Sequence, residues 1–171
     1  MNLRKNILTA LLLAIGFILR QLTPGALGGM KFDLFLSFIF ICLLLNPTFK
    51  NAILTGLLGG ILNALTTTFP GGQLPNVIDK LITCVILFII IKVMIHVKDN
   101  QIFVGFIAFL GTLISGTVFL TSALFISGLP APFTLLFMTI VLPTSLANIV
   151  MTLVVYQVVQ STLKMTGVKF A

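Results

Sequence analysis

Long apolar runs constrain this chain more than any other feature of its sequence. Six are present, at residues 7–22, 34–46, 52–69, 77–97, 102–127 and 133–159. A helix needs about 20 apolar residues to cross the hydrocarbon core of a bilayer, and only the run at 34–46 is clearly short for a span. Hydrophobic residues make up 58% of the chain and charged residues 8%, which is too little polar surface for a soluble domain. The sequence therefore predicts an integral membrane protein.

The runs indicate helices rather than strands. Apolar residues follow one another without the alternation that strands of a membrane barrel need, and a helix satisfies its own backbone hydrogen bonds in lipid. Segments with turn-forming residues separate the runs, namely TPGALGG, NP, FPGGQLP, KDN and SGLPAP. We predict an all-α integral membrane protein, in which residues 1–171 form one compact bundle of six transmembrane helices.

Lysine and arginine positions predict the orientation of this bundle. With six spans, both termini lie on the same side of the membrane. That side carries Arg4, Lys5, Lys50, Lys92, Lys98, Lys164 and Lys169, and the other side carries Arg20, Lys31 and Lys80. Seven positive charges against three favour cytoplasmic termini in a multi-pass protein of the cell membrane. The loops PGALGGMKFD, PGGQLPNVIDK and SGLPAP then face outward. The basic residues form no continuous stripe, so no nucleic-acid partner is predicted.

Several classes of catalytic and metal site are absent from the sequence. It contains no GxxxxGK[ST] phosphate-binding loop. His96 is the single histidine and glutamate is missing, so neither a Ser–His–Asp triad nor a histidine metal cluster is available. Cys42 and Cys84 lie inside apolar runs and are interpreted as small buried hydrophobic residues. We therefore predict no enzymatic activity, metal or cofactor. A structural or assembly protein, whose polar side chains only join helices, remains an alternative.

The segment PGGQLPNVIDK places a charged pair, Asp79 and Lys80, near the start of the fourth run. A carboxylate binds an ammonium group, and lysine or free helix N–H groups bind a carboxylate. The pair is therefore a candidate site for a zwitterion, with Asp79 facing the ammonium and Lys80 the carboxylate. Stabilisation of the helix start by Asp79 and membrane anchoring by Lys80 is an equally valid interpretation.

Four amide side chains could complete such a site. Gln73 and Asn76 belong to the same segment, whereas Asn63 and Asn148 lie deeper in the third and sixth runs. An amide inside the membrane is costly unless it is paired or faces a cavity. We therefore predict contacts between these four amides and a ligand, although hydrogen bonding between helices would also account for them.

Small residues four positions apart mark close helix contacts. Ala10 and Ala14 form an A-x-x-x-A step in the first run, and Gly56 and Gly60 form a G-x-x-x-G step in the third. Such spacing lets a second helix approach closely. Spacing alone favours packing inside the bundle over docking of another protein.

Four segments together carry a resemblance to a known family. They are LGGMKFD at 27–33, ALTTTFPGGQLPNVIDK at 64–80, GTLISGTVFL at 111–120 and VLPTSLAN at 141–148. Through them the chain resembles, nearly end to end, the substrate-binding S components of energy-coupling factor (ECF) transporters, most closely those specific for tryptophan.

The resemblance implies both a substrate and partner proteins. It implies a six-helix subunit that binds tryptophan with high affinity from outside, while a T subunit and two ATPase subunits supply the energy. Ala10 and Ala14 match the motif through which the first helix of such proteins docks on the T subunit, which reverses the interpretation from spacing alone. An S component for another aromatic micronutrient remains the alternative.

Overall fold

The computed structural model describes residues 3–25, 27–97 and 100–165. Six helices follow one another in this part of the chain, which confirms the all-α class and the helix count. They are α1 Leu3–Leu22, α2 Phe35–Leu45, α3 Phe49–Leu65, α4 Gln73–Val93, α5 Gln101–Ile126 and α6 Phe133–Met165. Short 3-10 turns at Leu27–Gly29 and Ile95–Val97 lie in two of the connections.

The helices differ in length. Four of them, α1, α4, α5 and α6, are long and apolar enough to cross a membrane, whereas α2 and α3 are shorter apolar helices. Asn51 helps to end α2 and begin α3. Its side-chain nitrogen donates to the carbonyls of Cys42 at 3.0 Å and Asn46 at 2.9 Å, and its backbone N–H donates to Thr48 Oγ1 at 3.3 Å. Thr48 is therefore the N-cap of α3.

The short helix α2 lies at the centre of the bundle. It contacts α1, α3, α4, α5 and α6, and its residues from Phe35 to Leu44 are all buried. On α3, a Cβ at Gly56 would lie 2.9 Å from the Lys80 carbonyl oxygen, and one at Gly60 would lie 2.8 Å from Val77 Cα. The G-x-x-x-G step therefore packs α3 against the backbone of α4.

Helix α6 contains a π-helical segment, Phe137–Val141, directly before Pro143. The Leu142 N–H donates to the Phe137 carbonyl, five residues earlier. Pro143 has no N–H to donate, and Thr144 Oγ1 donates to the Ile140 carbonyl at 2.6 Å. The backbone hydrogen bonding is thus wider just before the proline, and the helix continues through it.

Three connections, α1–α2, α3–α4 and α5–α6, meet at one end of the bundle. A Cβ at Gly28 would lie 2.4 Å from Pro130 Cγ, and one at Gly71 would lie 2.6 Å from Ser127 Cβ. Arg20 and Lys80, assigned to this side in the charge comparison, are buried and so are not loop charges. Lys98 and Lys169 lie outside the described residues. The cytoplasmic location of both termini stays a prediction.

Candidate functional site

The joined connections cover one end of a pocket between the helices. Gly29 allows this closure, because its φ of 78° is in the left-handed region and a Cβ there would lie 2.4 Å from the Thr68 carbonyl oxygen. Thr68 Oγ1 donates to the Gly29 carbonyl at 2.6 Å. The α1–α2 connection is therefore held directly against the α3–α4 connection.

The pocket is lined by residues of α1, α2, α4, α5 and α6 and of the connections that precede α2 and α4. Its lining divides into a charged and polar part and an apolar part. The charged and polar residues are Arg20, Lys31, Asp33, Thr67, Asn76, Asp79, Lys80, Thr112, Ser115 and Thr144. The others are Met30, Leu36, Phe69, Gly116, Phe119, Ile140 and Val141.

Asp33 is the centre of the charged part. Its Oδ1 lies 2.8 Å from Arg20 Nη1, and its Oδ2 lies 2.8 Å from Lys80 Nζ. Asn63 Nδ2 also donates to Oδ2, at 2.9 Å. Asp33 precedes α2, so its carboxylate joins that connection to α1, α3 and α4.

Lys80 joins both aspartates of the pocket. Besides Asp33, its ammonium group donates to Asp79 Oδ2 and, at 3.1 Å, to Ser115 Oγ. Thr83 Oγ1 donates to Asp79 Oδ1 at 3.0 Å. All three N–H groups of Lys80 therefore have acceptors. Together with Arg20, the cluster contains two positive and two negative charges and is balanced, as burial requires.

Asn148, on α6, holds the backbone of this cluster in place through hydrogen bonds. It is fully buried, and its Nδ2 donates to the Asp33 carbonyl at 3.1 Å and to Thr112 Oγ1 at 3.0 Å. Ser37 Oγ donates to its Oδ1 at 3.0 Å. A single amide on α6 thus fixes the start of α2 and the middle of α5, and all its hydrogen bonds are internal.

The surroundings keep Asp33 ionised. Burial by itself would raise the pKa of the Asp33 carboxyl, but Arg20 and Lys80 nearby, with hydrogen bonds from Lys80 and Asn63, hold this pKa below its usual value. The negative charge of Asp33 in turn orients the Arg20 guanidinium at the pocket.

Hydrogen-bonding capacity remains at the pocket on Arg20 and Lys31. Arg20 donates through Nε to Thr66 Oγ1 at 3.0 Å and through Nη1 to Asp33, which leaves Nη2 without a partner among the described residues. Lys31 Nζ makes one long hydrogen bond, 3.4 Å, to the Arg20 carbonyl. Asn63 Oδ1 is buried and has no partner within the same part of the chain.

Two phenylalanines dominate the apolar part. The rings of Phe69 and Phe119 meet edge to face, with centroids 5.5 Å apart and an interplanar angle of 78°. Met30, Ile140 and Val141 belong to the same buried cluster. A flat apolar group bound here would meet aromatic rings and branched aliphatic side chains.

The structure brings some of the predicted site residues together and separates others. Asp79, Lys80 and Asn76 line the pocket. Asn63 and Asn148 are buried beside Asp33 and do not line it. Gln73, the first residue of α4, is exposed outside the lining.

Sequence reasoning gave too little weight to Asp33 and missed Arg20, Phe69 and Phe119. Asp33 is absent from the predicted site, because its place just before a helix has a structural explanation. Arg20 interrupts an apolar run, and an ionisable residue in such a run is a functional candidate by default. Phe69 and Phe119 carry no comparable signal, since the chain has 16 phenylalanines.

The predicted docking residues lie away from the pocket. Ala10 and Ala14 are both exposed on α1. Large apolar side chains of the same helix are also exposed, among them Ile7, Leu11 and Ile18. This side of α1 therefore faces away from the interior of the bundle.

Comparison with known proteins gives matches over almost the whole chain. The profile of the family described as "Tryptophan transporter TrpP" matches residues 2–164. A "Probable tryptophan transport protein" of Clostridium acetobutylicum is 44% identical over 164 residues, covering 96% of each chain. Proteins with the same description from Clostridium perfringens and Bacillus subtilis are 44% and 38% identical; the alignments cover 96% of this chain, and 97% and 95% of those proteins.

No solved structure matches the chain significantly. The relatives are described as transport proteins and not as enzymes, in agreement with a multi-pass helical bundle. On the match of the family profile and the identity to these relatives, the chain belongs to the TrpP tryptophan transporter family.

Proposed function

We propose that this chain is the high-affinity tryptophan-binding subunit of an ECF-type transporter in the cell membrane. One observation carries the proposal: a single pocket joins a cluster of paired charges to an aromatic wall. An amino acid with a large aromatic side chain has this same division, with a zwitterion at one end and a flat apolar ring at the other. The descriptions of the relatives name tryptophan.

In this proposal the zwitterion binds at the charged end. Asp79 lines the pocket and accepts the ammonium group, as its position in the sequence first suggested. Arg20 and Lys31 receive the carboxylate, because both have unused N–H donors there. Lys80 holds Asp79 and Asp33 in place, since its three N–H groups are already engaged.

The amides act at different distances from the ligand. Asn76 lines the pocket and contacts the ligand near the start of α4. Asn63 and Asn148 act through Asp33, to which both donate. Contact between Gln73 and the ligand stays a prediction that the observed geometry does not favour.

The indole ring lies against Phe69 and Phe119. Burial of an aromatic side chain removes about 150–250 Å² from water, which at about 25 cal/mol/Å² contributes roughly 4–6 kcal/mol before ordering costs. The charged cluster adds orientation and discrimination.

Transport requires partner proteins in this proposal. As the resemblance to S components implies, two ATPase subunits supply the energy and a T subunit couples them to this chain. The lack of a phosphate-binding loop in the sequence is consistent with this arrangement. The exposure of Ala10 and Ala14 supports a docking role for α1, because residues that pack inside the bundle would be covered.

Equilibrium binding of radiolabelled tryptophan to the purified, detergent-solubilised chain tests the proposed substrate. We expect saturable binding, displaced by unlabelled tryptophan and not by phenylalanine or leucine, together with a rise in thermal unfolding temperature because the ligand stabilises only the folded state. Displacement by a different aromatic compound alone would assign another substrate. Absence of saturable binding in a folded preparation would overturn the proposal.

A further inference from the structure

Helices α5 and α6 approach closely at one point of the pocket wall, between Gly116 and Val141. Both residues line the pocket. A Cβ built at Gly116 would lie 2.4 Å from Val141 Cγ1 and 2.6 Å from Cγ2. No side chain larger than hydrogen fits at position 116 without displacement of Val141.

Gly116 also marks a chemical boundary in the pocket. The preceding residue, Ser115, accepts a hydrogen bond from Lys80 at 3.1 Å. Val141 belongs to the buried apolar cluster that contains Phe69 and Phe119. The Gly116–Val141 contact therefore lies where the charged part of the pocket meets its apolar wall.

The π-helical segment determines how Val141 reaches this point. Val141 is the last residue of Phe137–Val141, and the segment places one more residue per turn than an α-helix does. A regular α-helix advances by about 100° per residue, so removal of the wider turn would rotate Ile140 and Val141 relative to the rest of α6. The π-helical segment of α6 therefore determines where Ile140 and Val141 lie in the pocket wall.

We propose that the Gly116–Val141 contact is a size filter that limits which indole rings the pocket accepts. The inference rests on the proposed function and adds a determinant of specificity to it. The isopropyl group of Val141, held in place by α5, closes the space into which a substituent on the ring would project. The pocket accepts unsubstituted tryptophan and excludes ring-methylated tryptophans.

Val141→Ala tests the filter by enlarging it. We expect the affinity for at least one of the 4-, 5-, 6- and 7-methyltryptophans to rise relative to tryptophan, by about fourfold for each methyl group that the new space takes up. Val104→Ala is the matched control. Val104 is likewise buried and lies on α5, in a different apolar cluster outside the pocket lining. The Val104→Ala variant should leave the affinity for methyltryptophans relative to tryptophan unchanged.

Gly116→Ala tests the filter in the opposite direction. The added Cβ displaces Val141, and overpacking of this size should weaken the binding of tryptophan by at least about fivefold. Gly105→Ala is the control on the same helix pair, because a Cβ there would meet Ile149 and Leu153 of α6 at ordinary distances of 3.6 and 4.0 Å. Combining Gly116→Ala with Val141→Ala should restore part of the loss, since the two changes compensate in volume.

The measurements are competition binding and thermal unfolding of the intact protein, for wild type and each variant. The decisive quantity is the affinity for each methyltryptophan divided by the affinity for tryptophan. If this ratio is unchanged in both Val141→Ala and Gly116→Ala, and both variants bind tryptophan as wild type does, the size filter alone is overturned. If Val141→Ala does not fold, Gly116→Ala and the double variant decide by the same ratios. Absence of tryptophan binding by wild type would overturn the proposed function, and the filter with it.

Discussion

Asp33 lies outside the regular helices and yet organises the polar part of the pocket. It receives hydrogen bonds from α1, α3 and α4 through its carboxylate and from α6 through its carbonyl. Arg20 and Asn148, which contact it, are separated by 128 positions in the sequence. The charged part of the pocket therefore exists only once all the helices have packed.

Asp79→Asn tests the proposed ammonium contact, because it keeps the shape of the side chain and removes its charge. We expect tryptophan to bind more weakly by about 1.5–3 kcal/mol, the range for a hydrogen bond to a charged group. Tryptamine, which keeps the ammonium, should lose a similar amount, whereas indole-3-propionate, which lacks it, should bind unchanged. Competition binding measures all three.

Thr83→Val is the control for this change. It removes a hydrogen bond to the same carboxylate but leaves the charge, so the difference between ammonium-bearing and ammonium-free ligands should persist. Thermal unfolding without ligand reports the separate cost of leaving Lys80 with one aspartate fewer. Equal losses for all three ligands in Asp79→Asn would mean that the pair only stabilises α4.

At the scale of single residues, the sequence was informative where a residue type is rare in its apolar surroundings. Asp79 and Lys80 stood out because charge is rare in this chain, and both line the pocket. Their pairing with Asp33 and Arg20 could not be predicted, because it depends on how distant segments pack. Phe69 and Phe119 gave no signal, since phenylalanine is equally suitable for lipid contact.

At the scale of helices, α1 has two distinct sides. Leu12 and Leu13 are buried in the core, whereas Ala10 and Ala14 are exposed. Small exposed residues let another helix approach to within backbone contact. An apolar helix side of this kind suits contact with a protein partner as well as with lipid. Substitution of the two alanines distinguishes these two environments.

Ala10→Trp and Ala14→Trp should separate α1 from a docked partner. We expect each variant to lose co-purification with the proposed T subunit by about tenfold or more, because overpacking of a close helix contact is destabilising, and to bind tryptophan as wild type does. Ala147→Trp, at an exposed position of α6, is the matched control and should retain the partner. Loss of tryptophan binding with intact co-purification would show instead that these alanines pack within the bundle.

The sequence predicted the existence and order of the helices better than their internal geometry. Turn segments rich in glycine and proline separate the runs, so six helices were expected and are present. The short second run corresponds to α2, which is only 11 residues long. The π-helical segment Phe137–Val141 was not predicted, because no local pattern of residue types encodes it.

At the scale of the whole molecule, the proposal makes uptake depend on other chains. Liposomes that contain this protein alone should bind tryptophan but accumulate none when ATP is enclosed, because its sequence contains no phosphate-binding loop. Addition of a T subunit and two ATPase subunits should give ATP-dependent accumulation, measured with radiolabelled tryptophan. ATP-driven uptake by the chain alone would contradict this division of labour.

The shortness of α2 has a consequence for the folded bundle as a whole. At about 1.5 Å per residue its 11 residues span roughly 16 Å, about half of a hydrocarbon core of about 30 Å. It begins just after Asp33, at the level of Lys80, the eighth residue of α4, and Asp33, Leu36 and Lys80 all line the pocket. We therefore expect a bound molecule to lie beside the start of this central helix. A ligand there would contact the interior of the bundle, so its binding and the packing around α2 should stabilise one another.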